Sequence, residues 1–162
     1  MRIRLRPLVF ATAAVLFVAA AVAGSLTGYR YWSDRQTEQA RTDSAAAARH
    51  TMEAMFSYDF RSVDTELPKV VDNLDGGFRD IYAKIIHDEI IPGAKQKQLT
   101  VQATAQAAGV ISAQRDHAVI LVFLNQVTTS KDAPKGTVTS SRVRVNMDKA
   151  GGRWLAAQVT PI

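Results

Sequence analysis

Cysteine is absent from the 162 residues, which excludes a disulfide scaffold, thiolate zinc sites, a cysteine nucleophile and a cysteine-linked lipid anchor. The redox compartment stays open, because a disulfide-free chain can live anywhere. Histidine is scarce: His50, His87 and His117 stand far apart in the chain. His87-Asp88-Glu89 would point adjacent side chains to different faces of a helix, so no metal site and no cofactor is expected. No G-x-S-x-G nucleophile turn occurs, which removes the commonest serine-hydrolase signature. Aromatic residues are only 7% of the chain. Internal repeats and low-complexity tracts are missing as well. What is present is a 47% hydrophobic content over 162 residues, enough for one domain with a real core and too little for two.

The net charge of +5 is unevenly distributed. Residues 1–7 carry Arg2, Arg4 and Arg6. Residues 30–94 hold 8 basic and 12 acidic side chains, and residues 95–162 hold 9 and 3. A nucleic-acid binder concentrates Lys and Arg with interleaved aromatics on one surface. The basic half here offers only Phe123 and Trp154 as aromatics, so no nucleic-acid partner is expected.

Between Leu8 and Tyr29 there is no charged residue. As a helix those residues would measure roughly 33 Å, the thickness of a hydrocarbon core of about 30 Å. The three arginines before the run favour a cytoplasmic N-terminus, with the remainder of the chain exported. Arg6 and Arg30 then flank the span, and Tyr29, Tyr31 and Trp32 fall where interfacial aromatics belong. The resulting division is a basic tip at 1–7, a transmembrane helix at 8–29, a stalk at 30–44 and an extracytoplasmic domain at 45–162. A cleaved signal peptide is the alternative, since Ala21-Val22-Ala23 is an A-x-A motif behind a basic segment and an apolar run.

The stalk, with Asp34, Arg35, Glu38, Arg41 and Asp43, reads as a solvated helix with no core face. From Ala45 the pattern changes, and Ala45, Ala48, Met52, Met55 and Phe56 make one apolar helical stripe. Asp64 to Leu74 reads as a short second helix with Pro68 in its first turn, stopped by Gly76-Gly77. Phe78, Ile81, Tyr82, Ile85 and Ile86 define a third helix that Pro92-Gly93 should end.

The hydrophobic period then falls from 3.6 to 2, giving strands over 99–110, 117–128, 137–147 and 153–159. Short connections imply an antiparallel meander. Val143, Val145 and Met147 alternate with Arg142, Arg144 and Asn146, so that strand has one buried and one wet face. The run Ala118 to Leu124 is apolar on both faces and should be central and buried on both. Trp154, after the Gly151-Gly152 turn, should fold into the core. These elements define an α+β domain with about three helices on one side of a curved four-stranded antiparallel sheet.

Several short segments, in their order and spacing, resemble the actinobacterial Mce-associated membrane proteins. They are Ser57-Tyr58-Asp59-Phe60, Gly77-Phe78-Arg79-Asp80 with Tyr82, Ala108-Gly109-Val110 and Val122-Phe123-Leu124-Asn125-Gln126, followed by Ser141 to Met147, Gly152-Arg153-Trp154-Leu155 and Pro161-Ile162. The resemblance runs from about residue 8 to the end. It implies a nuclear transport factor 2-like, or cystatin-like, domain on a single transmembrane helix. It also implies a non-enzymatic accessory role in assembling or stabilising a Mce-type lipid transporter, with the transporter subunits and the lipid membrane as partners. The alternative is an extracytoplasmic lipid- or small-ligand-binding domain that uses the interior of the cone.

Some cones of this fold house isomerases, so Tyr58, Asp59, Tyr82, Asp116 and His117 are the parts an enzyme would need to bring together. Their ordinary readings are a loop acceptor for Asp59, a turn for Asp116, a strand start for His117 and core aromatics for the tyrosines. No catalytic residue is assigned. Arg142 and Arg144 on the wet strand face, with Arg153 in the same meander, are the candidate partner-contact surface.

Overall fold

The computed structural model describes residues 34–162. The expected span at 8–29 and the interface anchors Arg6, Tyr29, Arg30, Tyr31 and Trp32 lie outside the described residues. Among the described residues no helix is long and apolar enough to cross a membrane. The chain divides into two compact units, the second of which, Gln39–Ile162, holds the whole sheet.

Residues 34–55 are helical (α1). Ala40, Ser44, Ala48, Thr51, Met52 and Met55 are buried along one face at steps of three and four. The stripe begins at Ala40, inside the stretch expected to be a stalk without a core face. Alanine and serine carry too little hydrophobicity to announce burial, yet their size permits close helix approach. The Ser44 hydroxyl donates to the Arg41 carbonyl at 3.4 Å.

After α1 come a two-residue strand β1 (Tyr58–Asp59), a single helical turn α2 (Val63–Glu66) and a 3₁₀ segment (Leu67–Asn73) with Pro68 in its first turn. Helix α3 (Gly76–Ile85) follows, with Gly76 at φ +38 where the chain turns in. The expected stop at Pro92-Gly93 does not occur. A π turn (Ile86–Ile90) leads into α4 (Ile91–Lys97), with Pro92 in the first turn of α4. Proline cannot donate to the preceding turn and its ring crowds the carbonyl four residues back, and the wider π turn takes up that crowding. The helix ends at Gln98, which adopts the left-handed conformation at φ 51.

The sheet comprises β2 (Thr100–Ala113), β3 (His117–Thr129), β4 (Thr137–Ala150) and β5 (Arg153–Pro161), in the order β1-β2-β3-β4-β5. All pairs are antiparallel. Among the described residues five strands are present rather than four, because β1 is too short for an alternation to be read. Gly151 and Gly152, at φ 57 and φ 80, form the tight turn between β4 and β5. Register shifts around Gln106 and Ile111 in β2, and beside Met147 between β4 and β5, bend the sheet.

β3 is central, but among the described residues only one of its faces is covered. Ala118, Ile120, Val122 and Leu124 are buried, whereas Val119 and Leu121 are half-buried and Phe123 is 39% exposed. The expectation of burial on both faces is corrected by the layering: the helices lie on one side of the sheet. That inner side is filled by Met52, Leu67, Leu74, Ile86, Ile120, Leu124 and Met147. Trp154 is in the core, with the Lys149 ammonium 5.6 Å above its ring.

Candidate functional site

The uncovered face of the sheet is where the two strand arginines emerge. In the β3–β4 register Phe123 stands opposite Arg142 and Leu121 opposite Arg144. Directly opposed residues have Cβ atoms about 4.5–5.5 Å apart, so each guanidinium stem lies beside an apolar side chain. Both arginines are exposed, and neither guanidinium has an ion-pair partner among the described residues. Exposed Val127 and Val138 face each other further along the same two strands. An open cleft of about 480 Å³ runs past Phe123, Asn125, Ser140 and Arg142. Ser140 donates to Asn125 at 2.8 Å across it. Two unpaired guanidiniums set in an apolar strip suit a partner surface that carries carboxylates on apolar ground.

Arg153 is engaged elsewhere. Its Nη2 donates to the Asp72 carbonyl and to the Asn73 side chain, each at 3.2 Å, tying the start of β5 to the 3₁₀ segment.

Of the side chains an enzyme would need, Tyr58 and Tyr82 lie near enough to influence one another, whereas Asp59 and His117 stand far apart. Asp59 sits opposite Thr100, which pairs with Thr129 at one end of β3, and His117 begins β3 at the other end. At the rise of a strand those ends are roughly 40 Å apart. Asp59 accepts from the Arg61 backbone N–H at 2.9 Å and from the Thr100 hydroxyl at 3.1 Å. The Arg61 N–H first, then Thr100 and the Arg61 charge, hold its carboxyl below the usual range, although desolvation opposes them. His117 Nδ1 contacts Asp148 Oδ1 at 2.5 Å on the surface. Asp116 is in the turn before it, 4.0 Å from Arg115. Tyr82 is buried and donates its hydroxyl to the Met55 carbonyl at 2.7 Å. Burial, and to a lesser degree Tyr58, pushes its phenol far up. Burial also raises Tyr58. Among the described residues no group of three or more His, Asp or Glu could hold a metal ion.

One set of polar residues carries no mark in the sequence. Ser57, Glu53 and Arg49 reach from the end of α1 and the loop after it to the backbone of β2 at Ala103 and Ala105. The spacing of four between Arg49 and Glu53 is the signal that both lie on one helix face, but nothing local says that a strand edge lies beneath them.

The chain matches known proteins along most of its length. The family model described as "Uncharacterized protein Rv1363c/MT1408-like" matches residues 7–161. The chain belongs to this family. It is 42% identical over 139 residues to the outer membrane protein Rv1973 of Mycobacterium tuberculosis, covering 83% of this chain and 86% of that protein. Among solved structures, an IcmL-like type IV secretion system protein of Legionella pneumophila superposes with a TM-score of 0.62 at 14% identity. The match covers 75% of this chain and 93% of that one. A nuclear transport factor 2-like protein of Salmonella enterica superposes with a TM-score of 0.52 at 12% identity, over 78% and 92%. At such identities the likeness is one of fold, and the fold is α+β of the nuclear transport factor 2-like kind.

Proposed function

We propose that this chain is a non-enzymatic, membrane-anchored accessory protein of the cell envelope that assembles or stabilises a Mce-type lipid transporter through contact. In this reading the N-terminus is cytoplasmic, the chain crosses the membrane once and the domain stands on the extracytoplasmic side. The observation that carries it is the contrast between the two sides of the sheet. The inner side is packed with fully buried side chains, whereas the outer side presents Arg142 and Arg144 beside Leu121 and Phe123, with no ion-pair partner for either among the described residues. A domain that acts by contact needs such an outer face, and the clefts beside Phe123 and Ala108 are open to solvent rather than enclosed. The name of the 42%-identical relative, an outer membrane protein, supports an envelope location. So does the name of the superposing Legionella protein, which places that protein in a type IV secretion system. The Mce connection rests on the resemblance of the ordered sequence segments.

The test compares cells carrying the wild-type chain, a deletion, Arg142→Glu with Arg144→Glu, and Asp59→Asn or His117→Ala, at matched expression. Deletion is expected to lower the abundance of transporter subunits, because it removes a species that binds their folded, assembled form. The double charge reversal should reduce subunit co-purification and lipid uptake without changing the melting temperature, since rim charges steer and specify partners. Subunit levels that ignore the deletion, together with uptake lost on a single Asp59 or His117 substitution in a stable protein, would overturn the proposal in favour of an enzyme.

A further inference from the structure

The two edges of the sheet are treated differently. The β5 edge is engaged at Ala156 by the segment leading into α3: Leu74 bridges to Ala156, and the Asp75 N–H donates to the Ala156 carbonyl at 2.9 Å. Among the described residues the β2 edge is paired or capped over only about half its length. Tyr58 and Asp59 of β1 pair with Val101 and Thr100. At the next outward position Ser57 Oγ accepts from the Ala103 N–H at 2.9 Å. One step further, Glu53 accepts from the Ala105 N–H at 2.8 Å and Arg49 donates to the Ala105 carbonyl at 2.9 Å.

Beyond the bulge at Gln106, Ala107, Ala108, Gly109 and Val110 keep register with Phe123, Val122, Leu121 and Ile120. By the alternation of an antiparallel ladder, Ala108 and Val110 turn their N–H and C=O groups away from β3. No strand among the described residues pairs with them. Exposed edges are ordinarily blunted by lysine or proline, yet no charged residue and no proline occurs from Gln98 to Gln114. Ile111, next along the edge, is 55% exposed. Beside it lies an open cleft of about 550 Å³ between Ala108 and the Thr42, Ala46 and His50 face of α1.

We infer that this open half of β2 pairs antiparallel with the same segment of a second copy, about a two-fold axis near Val110, joining two five-stranded sheets into one. A free strand edge is chemically specific for another strand. A second copy fits because an uncharged edge meets itself without like charges in opposition. The outer sheet face does not have that property, since Arg142 and Arg144 would face their own kind across a symmetric contact. Closure also follows: a two-fold contact uses the one β2 edge of each copy, so the pairing ends at two chains.

The absence of cysteine makes the test clean. Single cysteines are placed in the full chain at Gly109, Val110 and Ile111, and at Thr139 on β4 as a control, and membranes are treated with a mild oxidant. Paired residues across the axis have Cα atoms about 4.5–5.5 Å apart, within the roughly 4.4–6.8 Å a disulfide spans. Val110→Cys or an immediate neighbour is expected to give a reducible band at twice the monomer mass, and Thr139→Cys to remain single. In parallel, the detergent-solubilised full chain should sediment as two copies and Ile111→Lys as one, with an unchanged circular dichroism spectrum showing that the lysine acts at the edge and not on the fold. If Ile111→Lys fails to fold, the cysteine scan decides alone. A single-chain mass for the wild type, cross-linking no stronger than at Thr139, or a cross-link to a different polypeptide overturns the inference.

Discussion

Val122 and Phe123 are neighbours in the chain and lie on opposite faces of the central strand, so the same substitution at each measures the layering of the domain. Val122 is fully buried, with Ala108 and Val143 as its partners on the flanking strands. Val122→Asp first removes a buried side chain, about 1.5–3 kcal/mol. The new carboxyl then either stays ionised in an apolar core or takes up a proton at pH 7, which from an unfolded value near 3.9 costs about 4 kcal/mol at roughly 1.4 kcal/mol per unit. Burying even the neutral carboxyl without partners adds about 1–3 kcal/mol. The total, about 7 kcal/mol or more, is comparable with the roughly 5–15 kcal/mol that holds a domain folded. Phe123→Asp places the same group on the open face opposite Arg142 and should cost only about 1–2 kcal/mol, mostly lost strand preference and partial burial.

Urea denaturation of the full chain in detergent, followed by circular dichroism, reads both losses. The pH dependence gives an internal check. In Val122→Asp the folded pKa of the introduced carboxyl lies above its unfolded value, so the penalty for ionisation is absent below about pH 4 and grows as pH rises toward the folded value. Relative to wild type at the same pH, the Val122→Asp deficit should therefore shrink by about 1.4 kcal/mol per unit on acidification from pH 7. Equal losses for the two variants, or a deficit that ignores pH, would refute the assignment of β3 to one covered and one open face.

Tyr82→Phe removes the donor to the Met55 carbonyl at the end of α1 and should cost about 1–3 kcal/mol, a melting decrease of several degrees; full stability with loss of function would instead indicate chemistry at the phenol. Asp59 and Asp64 are both held below the usual carboxylate range, Asp59 first by the Arg61 N–H and Asp64 first by the Lys95 ammonium at 2.6 Å. The stability they contribute is present above about pH 4 and is lost as pH falls through their lowered folded values. Melting temperatures of Asp59→Asn with Asp64→Asn should thus fall less steeply than wild type below pH 4, and parallel curves would count against the two hydrogen-bonded carboxylates.

What the sequence discloses depends on whether a feature has a local period. β4 is legible because Val143, Val145 and Met147 alternate with Arg142, Arg144 and Asn146, and the same alternation marks the two arginines as a surface pair. β1 is not, since two residues define no period and become a strand only when Val101 and Thr100 lie beside them. The continuation of helix past Pro92 is hidden for a related reason: a π turn is a backbone adjustment that leaves no residue signature, whereas proline and glycine leave a strong one that points the other way. The core stripe of α1 escapes notice at Ala40 and Ser44 because burial there rests on small size rather than hydrophobicity. Composition tells that β3 is apolar on both sides, but not that helices cover only one.

The arginines differ from one another, and the open edge from both, in how far along the chain the deciding residues lie. Arg142 and Arg144 share a strand and a parity, so their common face follows from two positions in sequence. Arg153 has an equally exposed position and the same charge, yet its partners Asp72 and Asn73 lie some eighty residues earlier. No local pattern encodes that bond. The β2 edge is further removed still. An edge is defined by the strand that fails to arrive, and here its open half depends jointly on the shortness of β1, the reach of Arg49, Glu53 and Ser57, and the bulge at Gln106. The uncharged run from Gln98 to Gln114 is plain in the sequence. Only the strand order turns it from an ordinary buried-strand composition into a ladder of backbone groups that no strand among the described residues pairs, where the absence of charge acquires a physical consequence.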